Sequence, residues 1–132
     1  MEKMEALCLD TDFLISFLRN KKEAVEFVRS KEHDNELATT IINLFELYYG
    51  AYKSGRKENV EAVAALHGRI TILGMSEEMA RTAGKQAAKL ELEGAPLEFR
   101  DLLIGIIALS NRYHFKTGNK KHFCRISGLL VE

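Results

Sequence analysis

Short apolar runs alternate with longer amphipathic segments along most of the chain, and this alternation limits the folds that it can adopt. The apolar runs cover residues 6–9, 37–40, 70–73 and 129–131, with a weaker run at 114–116. Between them, apolar side chains recur at the three- and four-residue spacing of helices. Strands separated by helices pair in parallel through right-handed crossovers, and helices then cover both faces of the sheet. The sequence therefore predicts the α/β class, as a three-layer α/β/α sandwich with a mainly parallel central sheet.

The length and the composition fit one domain. The chain has 132 residues, of which 46% are apolar, so it can bury a core of ordinary size. It contains no internal repeat, linker or low-complexity segment, and we expect a single domain over residues 1–132. The 19 basic and 19 acidic side chains cancel, so the net charge indicates no particular partner.

The basic side chains are unevenly distributed along the chain. Residues 102–131 contain no acid, but they contain Arg112, Lys116, Lys120, Lys121 and Arg125. Such a basic segment can contact the phosphates of a nucleic acid. It can equally be a solvated surface whose counter-charges come from other segments, and the sequence leaves both interpretations open.

Cysteine use and hydropathy favour the cytoplasm. Cys8 and Cys124 lie among apolar neighbours and lack the spacing of zinc ligands, which is typical of small buried hydrophobic residues in a reducing compartment. No run near the N-terminus resembles a signal sequence, and no apolar stretch approaches the roughly 20 residues that span a bilayer. We therefore expect a cytoplasmic protein that does not contact a membrane.

Two aspartates follow the first predicted strand directly. Asp10 stands at its end and Asp12 at the start of the next helix, which Thr11 or Asp12 is predicted to cap. Ligands of open α/β sheets bind beyond the carboxyl ends of the strands, so both aspartates are candidates for a site. An aspartate at such a junction can also serve only as a helix cap, and this alternative stays open.

Glu46 lies within the helix that follows the second predicted strand. Its helical neighbours Ile42, Tyr49 and Gly50 are mostly apolar. A carboxylate there has to be paired, bound to a metal or placed near an edge, and a surface ion pair is the alternative to a role in a site. The predicted apolar face of this helix comprises Ile41, Leu44, Phe45, Tyr48, Tyr49 and Tyr52.

Asp101 opens an apolar helix that is predicted over residues 97–113 and should be buried on most sides. Gly105 and Ala108 follow on the same face, and their small side chains would let the helix approach the sheet closely. Asp101 would then lie near the strand ends. The alternatives are an acid that only stabilises the helix N-terminus through the helix dipole, and an ion pair with Arg100.

The candidate acids come from three separate strand-to-helix units, and each lies early in a helix. Such units bring their carboxylates together above one edge of the sheet. Neighbouring carboxylates raise one another's pKa, and a divalent cation removes that conflict. Oxygen ligands favour hard ions, so we expect Mg²⁺ or Mn²⁺, and such a site can activate water for attack on a phosphodiester.

Four segments together resemble the motifs of the PIN domain family. They read LDTDFLI at residues 9–15, LFELYYG at 44–50, DLLIGIIA at 101–108 and TGNKKHF at 117–123, the last running on to Gly128 and Leu129. Their order and spacing cover nearly the whole chain. The length and the closing motif resemble the VapC-type toxins of toxin–antitoxin pairs.

The resemblance implies a PIN-like α/β/α sandwich, usually a homodimer, that cleaves RNA with Mg²⁺ or Mn²⁺ and binds a cognate antitoxin, which inserts a segment into the site. It implies catalytic and metal-binding roles for Asp10, Glu46 and Asp101, with Asp12 supporting the cluster. Asp10 and Asp101 would bind the metal directly or through water. Glu46 would complete the metal's shell or orient the water that attacks the phosphorus, with the 3′-oxygen as the leaving group.

The closing motif departs from the family at one position. Asn119 stands where the family has a fourth acid, and an amide oxygen can bind Mg²⁺ but brings no charge. The missing charge counts against a tightly bound second metal, although Asp12 can offset it. Thr117, Asn119 and His122 are candidates to support the site or to contact the scissile phosphate or a water. A structural or solvent-facing side chain is the alternative for His122.

A phosphatase is one alternative function. The DTD sequence at residues 10–12 also resembles the opening of haloacid-dehalogenase-like enzymes, which form an aspartyl phosphate. Those enzymes usually carry Thr or Val where this chain has Leu14, and they need a late acidic pair that is missing after Asp101. Activity on small phosphate esters would favour this alternative.

A binding module without catalytic activity is the other alternative. A domain of this fold can bind RNA or a protein without cutting, and the loss of an acid at Asn119 favours this interpretation. Tyr48, Tyr49 and Tyr52 could stack on RNA bases, but their helical spacing fits packing in the core better.

Overall fold

The computed structural model describes residues 5–32 and 35–132. In these ranges the chain forms four strands and seven helices, which alternate much as the apolar runs predict. The strands are β1 (Glu5–Leu9), β2 (Asn35–Thr40), β3 (Thr71–Leu73) and β4 (His114–Lys116). The helices are α1 (Thr11–Leu18), α2 (Lys22–Lys31), α3 (Ile41–Lys53), α4 (Lys57–His67), α5 (Glu77–Leu92), α6 (Phe99–Ser110) and α7 (Lys120–Phe123).

The four strands form one parallel sheet in the order β3-β2-β1-β4. Leu7 of β1 pairs with Leu37 of β2 on one side and with His114 of β4 on the other. Thr39 of β2 pairs with Ile72 of β3. Because every strand runs in the same direction, the carboxyl ends of β1, β2 and β4 meet at one edge, where the candidate acids are expected.

Side chains of the central strand β1 alternate between two cores. Leu7 and Leu9 pack with apolar side chains of α1, α3 and α4, whereas Cys8 packs with those of α5, α6 and the C-terminal segment. All three side chains are almost completely buried, as in a parallel sheet that helices cover on both faces. The predicted three-layer α/β/α sandwich is confirmed.

Helix α6 is shorter than the predicted range of 97–113. It ends at Ser110 because Arg112 adopts a left-handed φ of 64°. The N–H of Tyr113 then returns to the carbonyl of Ala108 over 2.9 Å, which closes the helix end.

Gly105 of α6 brings the helix close to the C-terminal segment and not to the sheet. A Cβ added at Gly105 would lie 2.1 Å from Cδ1 of Ile126 and 3.4 Å from Cδ2 of Leu129. The prediction that this small residue serves contact with the sheet is therefore wrong. The close packing still fixes α6, and with it Asp101, against the end of the chain.

The apolar run at residues 129–131 makes one bridge and does not form a strand. Val131 bridges Phe115 of β4 in parallel, and the N–H of Phe115 donates to the carbonyl of Leu130 over 2.8 Å. The N–H of Glu132 donates to the carbonyl of Phe115 over 2.8 Å, and its carbonyl accepts from the N–H of Thr117 over 3.2 Å. The predicted strand is therefore reduced to a short parallel pairing along β4 at the end of the run.

Helix α3 exposes much of the face that the sequence predicts to be buried. Ile41, Phe45, Tyr49 and Tyr52 are 45%, 68%, 58% and 67% exposed, and Tyr48 is half-buried. The prediction of core packing is therefore wrong for these four side chains. The buried face of α3 consists of Asn43, Leu44, Leu47 and Ala51, which point towards the sheet and the neighbouring helices.

The two cysteines differ in their surroundings. Cys8 is buried as predicted, whereas Cys124 is exposed after α7, so the prediction of a buried hydrophobic residue fails there. In the parts of the chain that the structure describes, no helix is both long and apolar enough to cross a membrane.

Candidate active site

Asp10 lies at the edge of the sheet that the sequence predicts. It follows β1 directly, and its N–H donates to the carbonyl of Lys116 at the end of β4 over 2.9 Å. It is also the N-cap of α1, because its Oδ1 accepts from the N–H of Thr11 over 2.8 Å. The prediction that Thr11 or Asp12 caps α1 is wrong, since the extended backbone ends at Asp10 and Thr11 is already helical.

Hydrogen bonds orient both oxygens of the Asp10 carboxylate, which is 3% exposed. Oδ1 also accepts from Nδ2 of Asn43 at 3.1 Å, and Oδ2 accepts from Oγ1 of Thr117 at 2.7 Å. Burial raises the pKa of Asp10 above its ordinary value, and the hydrogen bonds from Thr117 and Thr11 offset only part of the rise. Asp10 is therefore both a helix cap and a rigidly held acid, so its two interpretations are compatible.

Asn43 contributes to the site although the motifs do not single it out. It is completely buried in the first turn of α3, where its N–H donates to Oγ1 of Thr40 at 3.1 Å and its Oδ1 accepts from that hydroxyl at 2.6 Å. Its Nδ2 donates to Oγ1 of Thr11 at 2.8 Å as well as to Asp10. The Thr-x-x-Asn spacing of a capping box is the sequence signal that could have located it.

Glu46 lies at the edge of the buried face of α3 and is paired, as its apolar surroundings require. Its Oε1 accepts from Oγ1 of Thr11 at 2.6 Å and from Nη2 of Arg100 at 2.8 Å. Its Oε2 accepts from Nε of Arg100 at 2.6 Å. Burial alone would raise the pKa of Glu46, but the hydrogen bonds from Arg100 and Thr11 outweigh it, so the pKa lies below its ordinary value.

The first turn of α6 brings the third acid, Asp101, and its neighbour Arg100 to the same place. The prediction that this acid belongs to a strand-to-helix unit is wrong, because α6 follows α5 and not a strand. Asp101 is 4% exposed, and its Oδ1 accepts a hydrogen bond from Nη1 of Arg100. Nη2 of that guanidinium lies 3.3 Å from Oδ1 of Asp10. The pKa of Arg100 lies further above its ordinary value. The hydrogen bond to Glu46 is the largest cause, and the hydrogen bond to Asp101 and the charge of Asp10 add to it. We call Asp10, Glu46 and Asp101 the carboxylate cluster.

Asp12 lies at the rim of the carboxylate cluster. Its side chain is exposed, and its Oδ1 accepts from the N–H of Phe13 at 2.8 Å. Its charge adds to the raised pKa of Asp10, so the two carboxylates are near enough to interact. A Cβ added at Gly118 would lie 3.1 Å from Oδ2 of Asp12, so the glycine lets the loop after β4 pass close to this acid.

The closing motif completes the other side of the site. Oγ1 of Thr117, which donates to Asp10, accepts from the N–H of Asn119 at 3.0 Å. Nδ1 of His122 lies 2.8 Å from Nδ2 of Asn119 and 3.5 Å from Oδ2 of Asp101. All seven residues that the sequence singles out therefore lie in or beside the cluster, with Thr117 as a support for Asp10, His122 next to Asp101, and Asn119 next to His122.

The donor set of the cluster fits a hard divalent cation. Three carboxylates, two of them buried, face a single guanidinium, so one positive charge does not balance them. Their oxygens are the ligands that Mg²⁺ and Mn²⁺ prefer. The carboxylate cluster is not preformed as a tight metal site. Among the described residues, the ligand atoms that all lie within 4.8 Å of one another belong instead to Glu5, His114 and Glu132, at the opposite end of the sheet.

A cleft of about 470 Å³ opens beside the cluster, between α1, α2 and the end of β4. We call it the side cleft. Nζ of Lys116 lies 4.9 Å from the ring centroid of Phe27, which packs edge-on against Phe13 at 5.2 Å. Asp12 and Thr117 form its wall towards the cluster, and Lys21 and Glu23 also line it. The cleft is therefore continuous with the candidate site and combines aromatic rings with both positive and negative side chains.

The sequence is similar to those of known nucleases along nearly its full length. The family model of the PIN domain matches residues 7–129. A Haemophilus influenzae protein named Ribonuclease VapC1 is 32% identical over 123 residues, which are 92% of this chain and 92% of the relative. A Shigella flexneri protein named tRNA(fMet)-specific endonuclease VapC is 30% identical over 125 residues, 94% of each chain.

Solved structures share the fold. VapBC2 from Rickettsia felis, bound to a DNA fragment from its promoter, contains a chain with a TM-score of 0.87 and 27% identity, and the match covers 96% of this chain and 97% of that one. The DNA-bound VapBC of Salmonella typhimurium contains one with a TM-score of 0.86 and 29% identity, covering 98% of each. With a family model that spans most of its length and relatives that share its fold, this chain belongs to the PIN domain family.

Proposed function

We propose that this chain is a divalent-metal-dependent endoribonuclease and the toxin of a VapBC-type toxin–antitoxin pair. The convergence of Asp10, Glu46 and Asp101 at one edge of the sheet carries the proposal. The names of relatives with nearly the same length, Ribonuclease VapC1 and tRNA(fMet)-specific endonuclease VapC, support RNA as the substrate. The cytoplasm is the expected place of action.

Mg²⁺ or Mn²⁺ is the cofactor that the oxygen donors favour. Asp10 and Asp101 would hold it, and the chemistry that it would supply there is the activation of water and the stabilisation of the leaving 3′-oxygen of a phosphodiester. Thr117 and Asn43 hold the Asp10 carboxylate in a fixed orientation, which limits the reorganisation needed on binding. Glu46 would orient the attacking water or complete the metal's shell, and Asp12 at the rim would add negative charge.

The side cleft is the path that we propose for the RNA strand next to the scissile phosphate. Lys21 and Lys116 can neutralise backbone phosphates, and the aromatic surface of Phe13 and Phe27 that Lys116 leaves uncovered can contact an unpaired base. The cleft reaches Asp12 and Thr117, so a strand within it would lead directly to the cluster. An unpaired segment of RNA is therefore the substrate class that fits this surface.

A cognate antitoxin and a second copy of the chain are the protein partners that we propose. The structural relatives are VapBC complexes, two of them bound to DNA, and this supports a DNA-binding antitoxin partner. A homodimer follows from the family resemblance.

A non-catalytic RNA-binding domain is the second candidate function. Two observations favour it, namely the amide of Asn119 in place of an acid and the guanidinium of Arg100 among the carboxylates. Both reduce the negative charge that is available to a metal. This candidate differs from the first in predicting RNA binding without cleavage at any concentration of divalent cation.

The test is a cleavage assay with purified, antitoxin-free protein. Labelled total RNA and tRNA are incubated in EDTA, Mg²⁺ and Mn²⁺, and the ends of the products are determined. Limited cleavage that requires the metal and leaves a 3′-hydroxyl supports hydrolysis by activated water. RNA binding without cleavage in either metal would instead establish the non-catalytic domain.

A further inference from the structure

The guanidinium of Arg100 contacts all three members of the carboxylate cluster at once. It forms a two-pronged pair with Glu46 at 2.6 and 2.8 Å, a hydrogen bond to Asp101 and a longer one to Asp10 at 3.3 Å. Arginine is charged at every physiological pH, so this contact supplies a permanent positive charge inside the site.

These contacts use the oxygens that a shared metal would need. Both oxygens of Glu46 are engaged, and so is Oδ1 of Asp10 and of Asp101. The carboxylate oxygens of the three acids are also farther apart than the ligand atoms of Glu5, His114 and Glu132, which all lie within 4.8 Å of one another. The cluster thus has the form of a site that already contains a cation.

We infer that Arg100 is an internal counter-ion that competes with the divalent metal for the carboxylate cluster. The inference rests on the proposed function for its metal. In one state the guanidinium neutralises the acids and the protein is stable without metal. In the other state the metal binds Asp10 and Asp101, and Arg100 leaves at least these two side chains.

Electrostatics and side-chain geometry support two exclusive states. Two cations within a few ångströms repel each other strongly in a partly buried site. Arg100 cannot lose its charge, so it has to move, and its side chain is 35% exposed and has a route to solvent. Asp10 keeps its hydrogen bonds from Asn43 and Thr117 when Arg100 departs, so the metal ligands stay in place.

Direct Mn²⁺ titration of the full chain, by calorimetry, tests the inference without an activity assay. We compare the wild type with Arg100→Gln, which removes the charge, and with Arg100→Lys, which keeps the charge but loses the forked geometry. Arg81→Gln, an exposed substitution on α5, is the matched control, and Asp101→Asn identifies binding at the cluster. Circular dichroism checks that each variant is folded.

We expect Arg100→Gln to bind Mn²⁺ about tenfold more tightly or better, with Arg100→Lys between it and the wild type. The melting temperature in EDTA should fall in Arg100→Gln, and its increase on adding Mn²⁺ should exceed that of the wild type. Arg81→Gln should match the wild type, and Asp101→Asn should lose most binding.

Unchanged or weaker Mn²⁺ binding by Arg100→Gln would overturn the inference, and so would the absence of binding by every variant. RNA cleavage separates this failure from that of the proposed function. If the wild type cleaves RNA but Arg100→Gln shows no gain in affinity, only the inference fails. If the affinity rises but no protein cleaves RNA, the counter-ion role stands and the proposed function fails.

Discussion

Arg100 and Glu46 are joined by two hydrogen bonds, from Nε to Oε2 at 2.6 Å and from Nη2 to Oε1 at 2.8 Å. The pair ties the first turn of α6 to α3, across the carboxyl edge of the sheet. It therefore has a structural role in the metal-free protein as well as a place in the site.

The Arg100–Glu46 pair should stabilise the metal-free protein. A double-mutant cycle with Arg100→Gln and Glu46→Gln, measured by urea unfolding in EDTA, should give a coupling free energy of about 1–2 kcal/mol. The value is modest because both side chains are partly exposed, at 35% and 28%. Additive effects of the two substitutions would show that the pair contributes nothing to stability.

Asn43 should be important for folding as well as for the site. Asn43→Ala removes the partner of the Thr40 cap and a donor to Asp10 in a completely buried position, and we expect a loss of about 2–3 kcal/mol in the free energy of unfolding. Urea unfolding in EDTA measures it. Asn59→Ala, at an exposed site on α4, is the control and should cost about 0.5 kcal/mol or less. Equal losses at both positions would contradict the role of Asn43.

Metal binding should weaken under mildly acidic conditions because the pKa of Asp10 is raised from its ordinary 3.8. A proton and the metal compete for this carboxylate. As the pH is lowered, the affinity for Mn²⁺ should therefore begin to fall before the pH reaches the range in which an ordinary aspartate becomes protonated. Mn²⁺ titrations from neutral to mildly acidic pH measure it. Constant affinity down to the ordinary range would show that Asp10 is not a ligand.

The two shifted acids should affect the stability of the metal-free protein in opposite directions. The raised pKa of Asp10 contributes stability that is present below the unfolded-state pKa and is lost as the pH rises through the folded-state value. The lowered pKa of Glu46 contributes stability that is present above the unfolded-state pKa and is lost as the pH falls through the folded-state value. In urea unfolding across pH, Glu46→Gln should therefore lose less stability than the wild type on acidification.

The side cleft should bind RNA through Lys116 and Phe27. In an Asp101→Asn background with EDTA, chosen to suppress cleavage, Lys116→Gln should weaken binding of a fluorescent oligoribonucleotide and reduce the slope of log affinity against log salt by about one. Phe27→Leu keeps the apolar volume but removes the ring, and it should weaken binding with little change in that slope. Lys85→Gln, on the exposed face of α5, is the control. Affinities that match this control would exclude the cleft as the RNA path.

The main features of the fold and the acids themselves were predictable because they depend on local patterns. The apolar runs before Asp10 and before the helix of Glu46 are visible in the sequence, and parallel strands bring such junctions to one edge. Asp101 instead begins α6, which follows α5 and not a strand, so the packing of α6 brings this acid to the edge. The capping role of Asp10 in place of Thr11 or Asp12 depends on where the strand backbone ends, which apolar spacing locates only to within a residue or two.

The partners of these acids were harder to predict because they depend on tertiary contacts. The ion pair of Asp101 with its neighbour Arg100 was one of the alternatives that the sequence offered, and the structure contains it. The pair of Arg100 with Glu46 was not predictable in this way, because only the packing of α6 beside α3 brings the two side chains together. Helix α3 carries apolar side chains on two sides, so its spacing alone does not tell which side faces the sheet. Phe45 and Tyr49 lie on the exposed side, whereas Leu44 and Leu47 lie on the buried side.

Single-turnover cleavage of RNA by Asp101→Asn tests the central claim most directly. The substitution removes one charge from the cluster but keeps the shape of the side chain, and Glu77→Gln in the first turn of α5 is the matched control at another helix start. At a Mn²⁺ concentration that saturates the wild type, we expect Asp101→Asn to cleave at least about a hundredfold more slowly than the wild type and the control. Cleavage by folded Asp101→Asn at the wild-type rate would contradict the assignment of a metal-dependent nuclease site to this cluster.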